Sequence, residues 1–142
     1  MMRSMRTTRF VLACSMTLGL AACETPAASS GFADDVRGRT WAAEAIGGKD
    51  VIDGTRVTLS IERDRVSGKA GCNGYGGPVE INGDRVKFGA LFSTKMACMG
   101  NGVMEQEQRY LNALQSVTHG EVRSDGVLVL KGSGGDIEFR AE

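Results

Sequence analysis

The sequence predicts an α+β domain that is mostly β: a curved antiparallel sheet or open barrel with one amphipathic helix packed on it. Three observations carry this expectation. From Gly38 onward, short β-type runs are broken by glycine turns; Asp-Gly and Asn-Gly dipeptides separate those runs; and one segment, Val103 to Val117, contains neither Gly nor Pro. With 142 residues the chain has room for one domain and too little for two.

The expected strands are Thr40 to Ile46, Thr55 to Glu62, Arg65 to Ala70, Pro78 to Ile81, Arg85 to Phe88, Leu91 to Thr94, Val127 to Leu130 and Asp136 to Arg140. Asp53-Gly54, Asn82-Gly83 and Asp125-Gly126 supply the positive φ that tight turns between such segments require, which makes chain neighbours antiparallel. Glycine is used at more than twice the ordinary rate, which suits many turns and strand bends.

The exception, VMEQEQRYLNALQSV, is rich in Glu, Gln, Leu and Ala and reads as a helix over 103–117. Met104, Leu111 and Leu114 are expected on its apolar face, with Tyr110 and Val117 beside them. Gly102 precedes it, Glu105 places an acid in its first turn and Gly120 lies beyond its end. A helix inserted among strands covers one face of the sheet or plugs one end of the barrel.

Ahead of the domain, residues 1–9 carry Arg3, Arg6 and Arg9 without an acid, and Phe10 to Ala22 is free of charge. This is a signal-peptide pattern, too short in its apolar run to span a bilayer. Leu20-Ala21-Ala22-Cys23 looks like a lipobox, so residues 1–22 are expected to be removed and Cys23 to be lipidated. The expected destination is the bacterial envelope, facing the periplasm, and Glu24 after the lipidated Cys favours the outer membrane. Residues 23–36 read as a flexible tether reaching roughly 20 Å, and residues 37–142 as the domain. Cleavage removes three arginines and no acid, so the balance becomes 14 minus 17, or −3.

Of four cysteines, Cys14 leaves with the signal and Cys23 takes the lipid, so Cys72 and Cys98 most simply pair in an exported protein. Their separation fits neither a CxxC redox motif nor a zinc knuckle. With a single His119 there is no imidazole cluster, and no metal or cofactor is expected.

The segment Gly68-Lys-Ala-Gly-Cys-Asn-Gly-Tyr-Gly-Gly77 lacks the GxxxxGK[ST] pattern and a following helix, so it reads as a barrel-corner bend and not a phosphate loop. Gly71-Cys72-Asn73, then Ser93-Thr94-Lys95-Met96-Ala97-Cys98, then Met104 with Glu107 and Leu114, resemble the META domain family of HslJ-like heat-shock lipoproteins. The resemblance runs from Arg39 to about Arg140. It implies a small β-rich domain with one helix, in exported or membrane-anchored bacterial proteins linked to stress or antibiotic tolerance, with no catalytic activity established. Gly74 and Lys95 depart from the family pattern, where a larger residue and an Arg are common; a bidentate guanidinium is therefore missing at position 95.

Each singled-out residue has a plainer alternative. Asn73 is a cleft contact or, more simply, a left-handed turn residue. Trp41 and Tyr75 are a sugar-stacking pair or core aromatics. Glu107, on the same helical face as Met104, Leu111 and Leu114, either anchors the helix to Thr94, Lys95 or the amides of the Asn73 bend, or is solvated at the rim.

Zero net charge over the whole chain gives no electrostatic footprint for nucleic acid. No nucleophile and base pair is evident, so no catalytic residue is assigned and an enzyme is not expected. The expected function is a non-enzymatic, lipid-anchored envelope protein, monomeric, that binds an envelope protein or small ligand through residues such as Asn73, Tyr75, Lys95 and Glu107. The alternative is a proteinaceous inhibitor of a hydrolase such as lysozyme.

Overall fold

The computed structural model describes residues 31–142. Residues 1–22, expected to be a signal segment, with Cys14 among them, and Cys23, expected to be lipidated, lie outside the described residues. No helix among the described residues is long and apolar enough to cross a membrane.

Ten strands and two helices follow one another: α1 (Phe32–Val36), β1 (Thr40–Ile46), β2 (Lys49–Asp50), β3 (Arg56–Glu62), β4 (Arg65–Gly71), β5 (Gly74–Asn82), β6 (Arg85–Phe88), β7 (Phe92–Ser93), α2 (Val103–Gln115), β8 (Val117–Val122), β9 (Val127–Gly132) and β10 (Ile137–Ala141). Eight of the strands form a closed antiparallel barrel in the order β10, β9, β8, β6, β5, β4, β3, β1, which β1 seals against β10 from Trp41↔Ala141 to Ile46↔Ile137. The mostly β architecture with one helix packed on it is as expected; of the curved sheet or open barrel, it takes a fully closed barrel, and closure removes the edge strands that would otherwise invite pairing with other chains. β2 extends β1, and β7 pairs with β5 through Tyr75↔Ser93 and Gly76↔Phe92.

Period-2 alternation drives the inward faces. Val57, Leu59 and Ile61 of β3, Leu128 and Leu130 of β9 and Ile137 and Phe139 of β10 are all buried. Tight turns join the strands where Asn82-Gly83 and Asp125-Gly126 supply positive φ at Gly83 and Gly126. Asp53-Gly54 turns the chain too, but between strands that are not paired with each other: β2 lies against β1, and β3 against β1 and β4. Gly68 is required by close approach, because a Cβ there would run into the Thr58 carbonyl of β3.

α2 touches β1, β4, β6, β9 and β10, strands from around the barrel, so it closes one end of it. Its buried residues are Val103, Gln106, Glu107, Tyr110, Ala113 and Leu114. Met104, expected inside, is instead exposed, and Leu111 is only half-buried. The helical face is rotated toward Val103 and Gln106, because Gln106 turns inward and satisfies its polar atoms there, while Glu107 keeps the inward place expected for it.

Two other expectations are corrected. The segment read as the end of a tether is structured: α1 packs on β8, with Val36 fully buried and the Phe32 ring lying against Gly120. β8 itself occupies residues read as the helix end and a connection.

Candidate functional site

Glu107 lies in the middle of α2 and is only 5% exposed. Its Oε2 accepts the backbone N–H of Cys72 at 3.1 Å and of Asn73 at 2.7 Å, and its Oε1 accepts the Asn73 Nδ2 at 2.7 Å. Three donors therefore surround one carboxylate, which is how a buried charge is tolerated without a cationic partner. Of the anchors expected for Glu107, the amides of the Asn73 bend are its partners. Thr94 is one step removed and Lys95 does not touch it.

Asn73 is 1% exposed and spends both ends of its amide. Nδ2 donates also to the Met96 carbonyl at 3.1 Å, while Oδ1 accepts the Thr94 hydroxyl at 2.8 Å and the Met96 N–H at 2.7 Å. The left-handed turn expected at Asn73 is not found: the positive φ at this bend belongs to Gly71, and Arg63 is the non-glycine residue with positive φ among the described residues. Asparagine is needed at position 73 for its side chain, which bridges α2 to the segment after β7.

The same junction is closed covalently. Cys72 and Cys98 are joined by a disulfide, with Cα atoms 5.9 Å apart. Two cross-links, one polar and one covalent, thus tie the bend at 71–74 to the irregular segment 94–101.

Tyr75 and Trp41 are core residues and not a stacking pair for a sugar, at 4% and 1% exposure. The Trp41 indole N–H donates to the Val36 carbonyl at 3.0 Å. The Tyr75 and Tyr110 hydroxyls lie 2.7 Å apart, and Tyr75 is 2.9 Å from the Thr58 carbonyl. Each phenol has one proton, and the Thr58 carbonyl is nearer to Tyr75, at 2.9 Å, than to Tyr110, at 3.4 Å, so Tyr75 donates to Thr58 and Tyr110 to Tyr75. Burial pushes both phenols well above their ordinary pKa; for Tyr75 the hydrogen bond from Tyr110 offsets part of the rise.

Sequence reasoning missed Gln106, which is fully buried. Its Oε1 accepts the Ile52 N–H at 2.7 Å and its Nε2 donates to the Thr55 hydroxyl at 2.9 Å, fastening α2 to the loop before β3. The polar pair Gln106-Glu107 next to an aromatic at Tyr110 was the available signal.

Outside this knot runs a groove between α2 and residues 91–97. One cavity of about 270 Å³ is lined by Asn73, Lys95, Met96, Met104 and Glu107, among others. A second, of about 220 Å³, is lined by Leu91, Phe92, Asn112 and Gln115, and the two share Ser93, Lys95, Gln108 and Leu111. Phe92 is 63% exposed and Met96 55%. Lys95 is exposed and makes no ion pair among the described residues. A larger concavity of about 580 Å³ lies at the seam of β6 and β8, where pairing narrows to Arg85↔His119. Its rim is made by Glu80, Asn82, Arg85 and Lys87, all exposed and none held by a side-chain hydrogen bond among the described residues, while two lining side chains that are held, Gln115 and Ser116, spend their hydrogen bonds on the backbone of Phe88, Gly89, Ala113 and Gly134.

No group of three or more His, Cys, Asp or Glu among the described residues is placed to hold a metal ion. His119 is exposed on β8, its Nδ1 beside the Thr118 hydroxyl. Residues 34–142, which include the knot and the groove, match the META domain. The chain belongs to the META domain family. The NMR structure of a protein from Burkholderia xenovorans is similar to it at 28% identity and a TM-score of 0.59, over 75% of this chain and 83% of that one. A second NMR structure, at 17% identity and a TM-score of 0.62 over 75% and 92% of the two chains, shares the fold. No curated protein matches the sequence.

Proposed function

We propose that this META domain is a non-enzymatic binding module, lipid-anchored through Cys23 at the outer membrane and facing the periplasm, that serves stress or antibiotic tolerance by holding an envelope protein or small ligand. The observation that supports this reading most is the groove between α2 and residues 91–97, whose walls are fixed by the Asn73–Glu107 contacts and the Cys72–Cys98 disulfide. A wall held in advance loses little entropy on binding. The non-enzymatic part of the reading is supported by the state of the candidate reactive groups: Glu107 already accepts three hydrogen bonds, both domain cysteines are oxidised, and the two phenols are buried against each other.

Photo-crosslinking in growing cells tests it. A photoreactive residue in place of Phe92 or Gln108 should yield a discrete adduct, and the same residue in place of Glu121 on β8 should not. Equal labelling from both faces, or none from the groove, would overturn the reading. The alternative, inhibition of a hydrolase such as lysozyme, is favoured by Met99, fully exposed next to the disulfide-held Cys98, since inhibitory loops are rigid and protruding. An adduct that is a hydrolase, inactive while bound, selects it.

A further inference from the structure

Seven methionines occur in the sequence; four lie in residues 1–16, and the remaining three are Met96, Met99 and Met104. All three are exposed, at 55%, 100% and 36%, while the barrel interior is filled by Val, Leu, Ile and aromatic residues. Burying a methionine side chain contributes about 1.5–3 kcal/mol, so packing does not explain why every methionine of the domain stands outside its core. Their clustering within nine positions points to the chemistry of the thioether.

We propose that Met96 and Met104 form a thioether site for a soft monovalent cation, Cu(I). Met96 and Met104 reach the same cavity from two different elements, the segment after β7 and the first turn of α2. The Met96 backbone is fixed at both its N–H and its carbonyl by Asn73, so the base of this side chain is held beside the cavity. Thioethers select Cu(I) over Mg(II), Ca(II) or Zn(II), which prefer oxygen, imidazole or thiolate. The only thiols of the domain are tied up in the disulfide, so no thiolate competes. Glu107 borders the cavity and contributes negative charge from behind, while Lys95 borders it with the opposing sign. No metal is expected from the sequence, and this thioether site departs from that expectation.

The proposal does not depend on the partner-binding reading, because it is tested on the protein alone. The exported protein, purified in detergent with its disulfide intact, is titrated anaerobically with Cu(I) against a chromophoric chelator. One equivalent should be withdrawn from the chelator. Met96→Leu and Met104→Leu, which keep apolar volume and so the fold, should each weaken binding about tenfold or more, and Lys95→Gln should tighten it. A competitive apolar docking surface would be indifferent to the leucine exchanges. No withdrawal of Cu(I), binding unchanged in both leucine variants, or binding lost in His119→Gln instead would overturn the assignment.

Discussion

Asn73 and Glu107 meet twice, once through the Asn73 backbone N–H on Oε2 and once through its side-chain amide on Oε1, each at 2.7 Å. The contact joins the middle of α2 to the β4–β5 bend, across 34 residues of sequence, and makes a helix carboxylate the cap of a distant turn.

The first prediction follows from that geometry. In Glu107→Gln, the new amide oxygen can serve the two backbone donors, but its NH₂ then faces the Asn73 Nδ2, donor against donor. The loss is a charge-assisted hydrogen bond plus an unsatisfied buried donor, about 2–3 kcal/mol. Urea unfolding of the variant measures it; a loss below about 0.5 kcal/mol, the size of an ordinary surface substitution, would show that the carboxylate contributes little.

How much of this was legible beforehand differs by element. β1 and β6 can be bounded from Thr40, Ile46, Arg85 and Phe88 because alternation and turn dipeptides act locally. β8 could not, since Thr118-His119-Gly120-Glu121 carries no alternation of apolar residues; it is a strand because β9 pairs with it. Barrel closure is likewise a nonlocal event, decided by β1 meeting β10. The phase of α2 differs at Met104 because periodicity assigns a polar residue such as Gln106 outward, whereas Gln106 carries its own partners inward; Glu107 stays on the face expected for it. The resemblance in GCN and STKMAC located the knot correctly, yet the work of Asn73 lies in a side-chain network that no turn propensity encodes.

The disulfide supplies the second prediction. It closes a loop of 26 residues, for which loop-entropy reasoning gives about 3.5 kcal/mol. Cys72→Ser with Cys98→Ser should lower unfolding stability by about 2–4 kcal/mol. Thiol labelling of the unreduced, denatured protein should find no free thiol at Cys72 or Cys98; reactive thiols at both would mean that the bond does not form in the cell.

Gly68 gives the third. An added Cβ would meet the Thr58 carbonyl oxygen and lie 2.8 Å from its carbon, and both atoms are backbone of the adjoining strand. Neither can move aside without disturbing the β3–β4 ladder, in which Ser60 pairs with Ser67 and Val57 with Ala70. Gly68→Ala should therefore cost about 2–3 kcal/mol or more, read as a lower denaturation midpoint. An unchanged midpoint would mean that β3 and β4 are further apart than the backbone places them.

The fourth prediction concerns alkaline pH. Tyr75 and Tyr110 are both raised above the ordinary phenol value of 10.0, chiefly by burial, so the fold favours their neutral forms. A group whose folded pKa is raised contributes stability that is complete below its unfolded pKa and is lost as pH climbs toward the folded value. The unfolded phenols ionise near pH 10, so the stability drawn from this pair is constant at neutral pH and begins to fall at about pH 10. Tyr75→Phe combined with Tyr110→Phe removes both titrating groups, and although it costs stability at pH 7 by leaving the Thr58 carbonyl without its donor, its decline between about pH 9 and 11 should be shallower than the wild type's. Reversible urea unfolding of the two proteins across that range decides the matter: parallel declines would mean that alkaline loss arises elsewhere, and a steeper decline in the double variant than in the wild type would contradict the direction of the shift.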